Sequence, residues 1–252
     1  MRRLGIRLLA GATAVGGCVA GALTVPQADA AASAGRPAVV QVRVIGHSVQ
    51  GRPIRAYRVG NPRSANKVVV ISTMHGNEPR TRLIPMSIRD GRPVRGVDLW
   101  LVPIVNPDGL ARHTRKNAHG VDLNRNFPWR WARLTGNYNS GPRAASEPET
   151  RALMRFFGDV RPRRIVSFHQ PLHGVDTSTR ESRPFAIRLA GGLDLPRKRL
   201  TCGGVCHGTF TMWYMHRYPG KAVTVEYGDH PSRHRMRVTA PRQLLRVLDA
   251  TR

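Results

Sequence analysis

Four short runs of almost unbroken apolar residues constrain this chain more than any other feature. They lie at 67–73 (KVVVIST), 97–105 (VDLWLVPIV), 164–168 (RIVSF) and 222–227 (AVTVEY). A strand with one wet face alternates apolar and polar residues, whereas a strand covered on both faces is apolar throughout. Two further β-rich runs, 39–45 and 54–59, are separated by the turn-forming stretch 46–53, as in a hairpin. Helices are expected between the runs, over 78–89, 146–157, 184–190, 208–217 and 241–250. The second of these opens with Ser146-Glu147-Pro148-Glu149, which places a capping serine, an early proline and acids in the first turn. Buried strands alternating with helices predict a three-layer α/β domain with helices on both faces of the sheet. The stretch 106–142 is expected to be mostly irregular, and a loop of that length in a compact domain is usually functional.

The N-terminus has the pattern of a signal peptide over residues 1–30. Arg2, Arg3 and Arg7 precede an apolar, small-residue run, and Ala28-Asp29-Ala30 has the form of a cleavage site. A lipoprotein leader ending at Cys18 is the competing reading, weakened by a poor match before the cysteine. Residues 31–37 read as a disordered lead-in and 38–252 as one catalytic domain, exported from the cytoplasm. No apolar run after the leader approaches the ~20 residues needed to span a bilayer. Removing the leader leaves Cys202 and Cys206, which in an exported protein predict a disulfide, with two free thiols as the alternative.

The formal charge is +26, or about +24 without the leader. That charge favours anionic partners, for an exported protein anionic cell-wall polymers first. No nucleic-acid motif or aromatic platform accompanies it, so specific nucleic-acid binding is not expected. Only four of the 41 basic residues are lysine, and an arginine excess of this kind also suits GC-rich coding. Charge therefore says little about a reaction.

The ends of the apolar runs say more. Run 67–73 leads into Met74-His75-Gly76-Asn77-Glu78, run 164–168 into His169-Gln170-Pro171, and the last run carries Glu226 near its end. Ligands of open α/β sheets sit at the carboxyl ends of strands. His75 and Glu78, three residues apart across a strand-to-helix turn, can face one point. Taken alone, that HxxE spacing is a weak signal.

The ordered set HGNEP (75–79), NPDG (106–109), RKN (115–117), VDLNRNFP (121–128), SEPET (146–150), FHQP (168–171) and TVEYG (224–228) resembles the zinc metallocarboxypeptidases, above all the bacterial murein peptide amidase branch. The resemblance covers roughly residues 45–230. It implies a mixed, mainly parallel sheet and one Zn2+ held by His75, Glu78 and His169. It makes Asp122 the carboxylate behind His75, which would orient the ring. Asn124 and Arg125 become the pair that grips a substrate carboxylate, and Arg115 the group that steadies the oxyanion. Glu226 becomes the general base, its pKa raised by its apolar strand. The tyrosine that digestive members carry before the catalytic glutamate has no counterpart here; Tyr214 and Tyr218 lie nearby without aligning. The implied reaction is hydrolysis of an amide next to a free carboxylate in a peptide or peptidoglycan stem peptide. The alternatives are an N-acyl amino acid deacylase and a non-catalytic cell-wall or polyanion-binding protein on the same scaffold.

Overall fold

The computed structural model describes residues 38–202 and 206–252. The leader over 1–30, Cys18 and the lead-in over 31–37 lie outside the described residues. The apolar runs form the middle of an eight-stranded sheet. In chain order the strands are β1 (Val39–His47), β2 (Pro53–Gly60), β3 (Lys67–Ser72), β4 (Asp98–Val102), β5 (Arg164–His169), β6 (Leu172–Asp176), β7 (Arg197–Lys198) and β8 (Lys221–Gly228). Their order across the sheet is β1-β2-β4-β3-β5-β8-β6-β7. The four central strands, β4, β3, β5 and β8, are mutually parallel. Antiparallel pairs join β1 to β2, β2 to β4 and β6 to β8. The sheet is therefore mixed with a parallel centre.

Side-chain alternation divides the sheet's two faces between two cores. Val68, Val70, Val166, Phe168, Val223 and Val225 pack with helices α1 (Leu83–Arg89), α4 (Arg183–Leu193) and α6 (Ala240–Val247). Val69, Ile71, Trp100, Ile165 and Ala222 pack with α3 (Pro148–Val160) and α5 (Phe210–Arg217). Each of the valines, isoleucines and the phenylalanine withdrawn from water contributes on the order of 1.5–3 kcal/mol. The same alternation sends Ser167, His169, Thr224 and Glu226 towards the α3/α5 face. There the apolar pattern lapses at the strands' carboxyl ends.

Local chemistry shifts several boundaries from expectation. The helix expected from residue 78 begins at Leu83. Pro79 lacks a donor, and the Thr81 hydroxyl donates to the Glu78 carbonyl at 2.8 Å, so 75–82 is a chain of turns. Ser146 does not cap α3: the N-cap is Glu147, and the Ser146 hydroxyl donates to the Glu147 carboxylate at 2.7 Å. The loop 106–142 contains the short helix α2 (Pro107–Arg112), whose Asn106 caps the Gly109 amide at 2.8 Å. It also contains two 3-10 turns, Leu123–Arg125 and Gly136–Tyr138. Strands β6 and β7, unmarked by any apolar run, extend the sheet beyond β8.

Two glycines let the ends of β3 and β4 meet. A Cβ on Gly76 would overlap the carbonyl carbon of Gly109 and the amide nitrogen of Leu110. The glycines of HGNEP and NPDG thus press backbone on backbone, which fixes His75 and Glu78 against the start of the long loop. Replacing Gly76 by Ala should cost roughly 1–3 kcal/mol or more by urea denaturation, because neither backbone can give way. A methyl on Gly191, in α4 with nothing within 4 Å, should stabilise by about 0.5–1 kcal/mol. Equal effects of the two substitutions would contradict this packing.

Candidate active site

Strand β3 ends at Ser72, and Thr73 turns the chain with φ 52°, a conformation that a β-branched residue adopts only when its surroundings impose it. Its amide donates to the Thr81 hydroxyl at 3.3 Å, and its carbonyl accepts from the Asn106 amide at 3.0 Å. This turn aims His75 and Glu78 inward, where both are buried. The third group arrives by register. Parallel strands β5 and β8 pair His169 with Glu226, so the predicted ligand and the predicted base stand side by side at one sheet edge.

Three side chains converge there. His75 Nδ1 lies 2.6 Å from Glu78 Oε1 and 3.3 Å from His169 Nδ1, and His169 Nδ1 lies 3.1 Å from Glu78 Oε2. The far ring nitrogens are occupied. His75 Nε2 donates to Asp122 Oδ1 at 3.0 Å, and His169 Nε2 is 3.0 Å from the Ser167 hydroxyl. Each ring therefore presents Nδ1 to the centre. Zinc bonds of about 2.0–2.1 Å in a tetrahedral site would place neighbouring donors about 3.3 Å apart. The donor types and spacing fit a zinc-sized cation, and these three form the one such group of metal-ligating side chains among the described residues.

The electrostatics are those of a cation site. Burial disfavours charge on His75, but the carboxylates of Glu78 and Asp122 outweigh it and push its pKa up to about 9. Burial would raise Glu78, yet the two imidazoles hold it down at about 2. Asp122, also buried, is driven well below the carboxylate range by His75 and then by Arg115. Glu226 behaves differently. Burial raises its pKa, the neighbouring His169 opposes this, and Glu78 reinforces it. One of its oxygens accepts from the Leu172 amide at 3.3 Å.

The remaining predicted groups line the same cavity of about 320 Å³. Arg115 is tied to Asp122 through Nε at 3.0 Å and Nη2 at 2.8 Å, and its Nη1 stands 3.9 Å from Glu78. Asn124 accepts from the Phe210 amide at 2.9 Å through Oδ1, which leaves its NH2 for another partner. Arg125 is 6% exposed and donates to the Asn124 carbonyl at 2.8 Å. Gly208, with φ +57°, approaches the Arg125 carbonyl where any Cβ would collide. Cys202 and Cys206 are joined in a disulfide at the cavity wall, with Cα atoms 5.4 Å apart.

Several motif residues hold the loop rather than the centre. Asn117 donates to Glu147 at 2.7 Å and to Glu149 at 3.1 Å. Asn126 accepts from the Glu147 amide at 3.1 Å and donates to the Ser146 hydroxyl at 2.8 Å. The segments RKN, NRNFP and SEPET thus interlock. Tyr214 is fully buried and donates to the Pro162 carbonyl at 2.6 Å, with Tyr218 stacked on it, and neither lines the cavity. Sequence reading passed over Ser167 and Tyr138. Ser167 carried a signal, as a hydroxyl two residues before His169 in an apolar strand. Tyr138 carried none, since it sits in an irregular stretch and meets its partners only in space.

Parts of this chain are similar to known proteins. A murein peptide amidase A from Escherichia coli K12 is 42% identical over 86 residues, 29% of this chain and 36% of that protein. The corresponding protein of Vibrio campbellii is 30% identical over 145 residues, 52% of this chain and 58% of the relative. The chain thus spans less than two thirds of either. A crystal structure of the murein-tripeptide amidase of E. coli O157 superposes with TM-score 0.67 at 25% identity, covering 82% of this chain and 91% of that one. Carboxypeptidase A from Helicoverpa armigera, at 19% identity and TM-score 0.71 over 84% and 68% of the two chains, has the same fold. The zinc carboxypeptidase family model matches residues 29–177, through β6 and both strand ends that carry the candidate ligands. With more than half of its length matched, and His75, Glu78 and His169 converging at the sheet edge, the chain belongs to the zinc carboxypeptidase family.

Proposed function

We propose that this chain is an exported zinc-dependent peptidase that hydrolyses an amide bond beside a free carboxylate in peptidoglycan stem peptides. One observation carries the reading: the imidazole–carboxylate triad, a buried carboxylate with a raised pKa and a buried guanidinium open one cavity together. A bound zinc would polarise the scissile carbonyl and a water molecule. His75, Glu78 and His169 would hold it, with Asp122 and Ser167 fixing the two rings from behind. The Glu226 carboxylate takes a proton from the attacking water and returns it to the leaving amine. Nη1 of Arg115, the end not bound to Asp122, donates towards the oxygen that gains charge. Arg125, with the free amide NH2 of Asn124, grips the substrate carboxylate. A non-catalytic binding protein has no use for a desolvated Glu226 beside such a triad. Peptidoglycan as substrate rests on the named activity of the amidase relatives. Export rests on residues 1–30, and the charge of the mature chain suits adherence to anionic cell-wall polymers.

Digestion of defined muropeptides and of C-terminally varied peptides, read by mass spectrometry, tests the activity. Cleavage of an amide next to a free carboxylate is expected, with much slower cleavage when that carboxylate is amidated. Preferred cleavage of an N-acyl amino acid would establish the deacylase instead.

The base has its own pH signature. Glu226 must be ionised to accept the proton, and its pKa is raised, so the rate should fall as pH drops through a value above the ordinary 4.5. Glu226→Gln should lower kcat by about 10²–10⁴ while leaving the fold intact by circular dichroism. An acid limb at or below 4.5, or a Gln variant as fast as the wild type, would remove Glu226 from the role.

A further inference from the structure

Tyr138 stands half exposed, at 49%, on the wall of the catalytic cavity. Both guanidinium groups of the site lie over its ring: Arg125 at 4.9 Å and Arg115 at 5.5 Å from the centroid. Burial disfavours the charge on Arg125, the Asp122 carboxylate supports it, and the neighbouring Arg115 charge works against it. Asp122 holds Arg115 by two contacts, but Arg125 makes only the bond to its neighbour's carbonyl among the described residues. Beside the more distant charge of Asp122, the electron-rich face of the Tyr138 ring stabilises that buried cation.

The backbone that carries the ring is held in place. It ends the 3-10 turn Gly136–Tyr138. The Asn139 carbonyl, one residue on, accepts from the Asp122 amide at 2.8 Å, and the Asn139 side chain donates to the Gly120 carbonyl at 2.9 Å. Lys116 donates to the Gly136 carbonyl at 3.0 Å. Next along the chain, the Ser140 carbonyl accepts from Asn126 at 2.8 Å. The turn is therefore pinned to the residues that bracket both arginines, 116, 122 and 126. The ring thus projects from a held turn, and the Arg125 guanidinium can be aligned against its face.

We propose that Tyr138 is a positioning residue: its ring aims Arg125 and Arg115 into the cavity and thereby sets the preference for a substrate bearing a free carboxylate. The inference rests on the peptidase reading above. The work is done by the ring face and not by the hydroxyl, since the contacts to both arginines are to the ring. Removing the ring frees the Arg125 guanidinium to reorient and weakens its two-pronged grip. A half-exposed cation–π contact, between the exposed and the desolvated cases, corresponds to roughly tenfold in binding.

The test uses a peptide with a free C-terminal carboxylate and its C-terminal amide, in the zinc-loaded full chain. Rates are measured together with binding of the free-carboxylate peptide by NMR titration. Tyr138→Ala should raise KM for the carboxylate substrate and weaken its binding about tenfold. Arg115 is also held by Asp122, so the loss on the amide substrate should be smaller than on the carboxylate substrate, and the discrimination ratio falls. Tyr138→Phe should keep the wild-type ratio within about twofold. A wild-type enzyme that prefers the carboxylate peptide, with an Ala variant that keeps both preference and binding, overturns the role of Tyr138 and leaves the peptidase reading standing. Loss of preference in Phe as in Ala overturns the ring-face role in favour of the hydroxyl. A wild-type chain that shows no preference for the free carboxylate overturns the reading and this inference together.

Discussion

Two imidazole nitrogens facing each other across 3.3 Å, with a carboxylate against both, make an arrangement that a folded chain holds only against a cost. Both rings need the one carboxylate of Glu78, and burial removes the water that would separate them. A shared cation relieves both problems at once. Much else in the structure serves to keep the rings in this attitude. Asp122 takes the back of one ring and Ser167 the back of the other. The turn at Thr73, the overlap of Gly76 with Gly109, and the strand register that brings His169 alongside Glu226 each remove a way for the cluster to relax.

The second layer of order starts at the same carboxylate. Asp122 is bound on one oxygen by His75 and on the other by Arg115, so one buried acid ties the cation site to the cationic wall that would receive substrate. Arg115 and Arg125 share the ring of Tyr138. The cavity thus has an acidic, metal-seeking end and a guanidinium end, with Glu226 between charges of both signs. Desolvation raises its pKa while His169 restrains the rise. That balance suits a group which must both accept and release a proton.

The parallel centre of the sheet was legible because burial on both faces erases the polar half of the usual alternation, as in KVVVIST and RIVSF. The candidate ligands were legible as polar residues where such runs stop. Their identity as a set came from the order of neighbouring motifs and not from HxxE alone. Other features left weaker traces. Strand β6 (LHGVD) carries too few apolar residues to register, and α2 has only six residues, too short for periodicity, although Asn106-Pro107-Asp108 is a helix-start pattern. The serine of SEPET reads as a cap, but in three dimensions Asn126 competes for its hydroxyl. Tyr138 could not be foreseen, because stacking on two arginines from different parts of a loop leaves no mark in local sequence.

The account stands on a preformed site for one divalent cation. Calorimetric titration of zinc into the metal-free chain tests it most directly. One zinc per chain is predicted. Asp122→Asn should weaken the affinity about 10- to 100-fold, and His169→Ala should weaken it more, with circular dichroism unchanged in both. Absence of stoichiometric binding, or variants that bind zinc as tightly as the wild type, would contradict it.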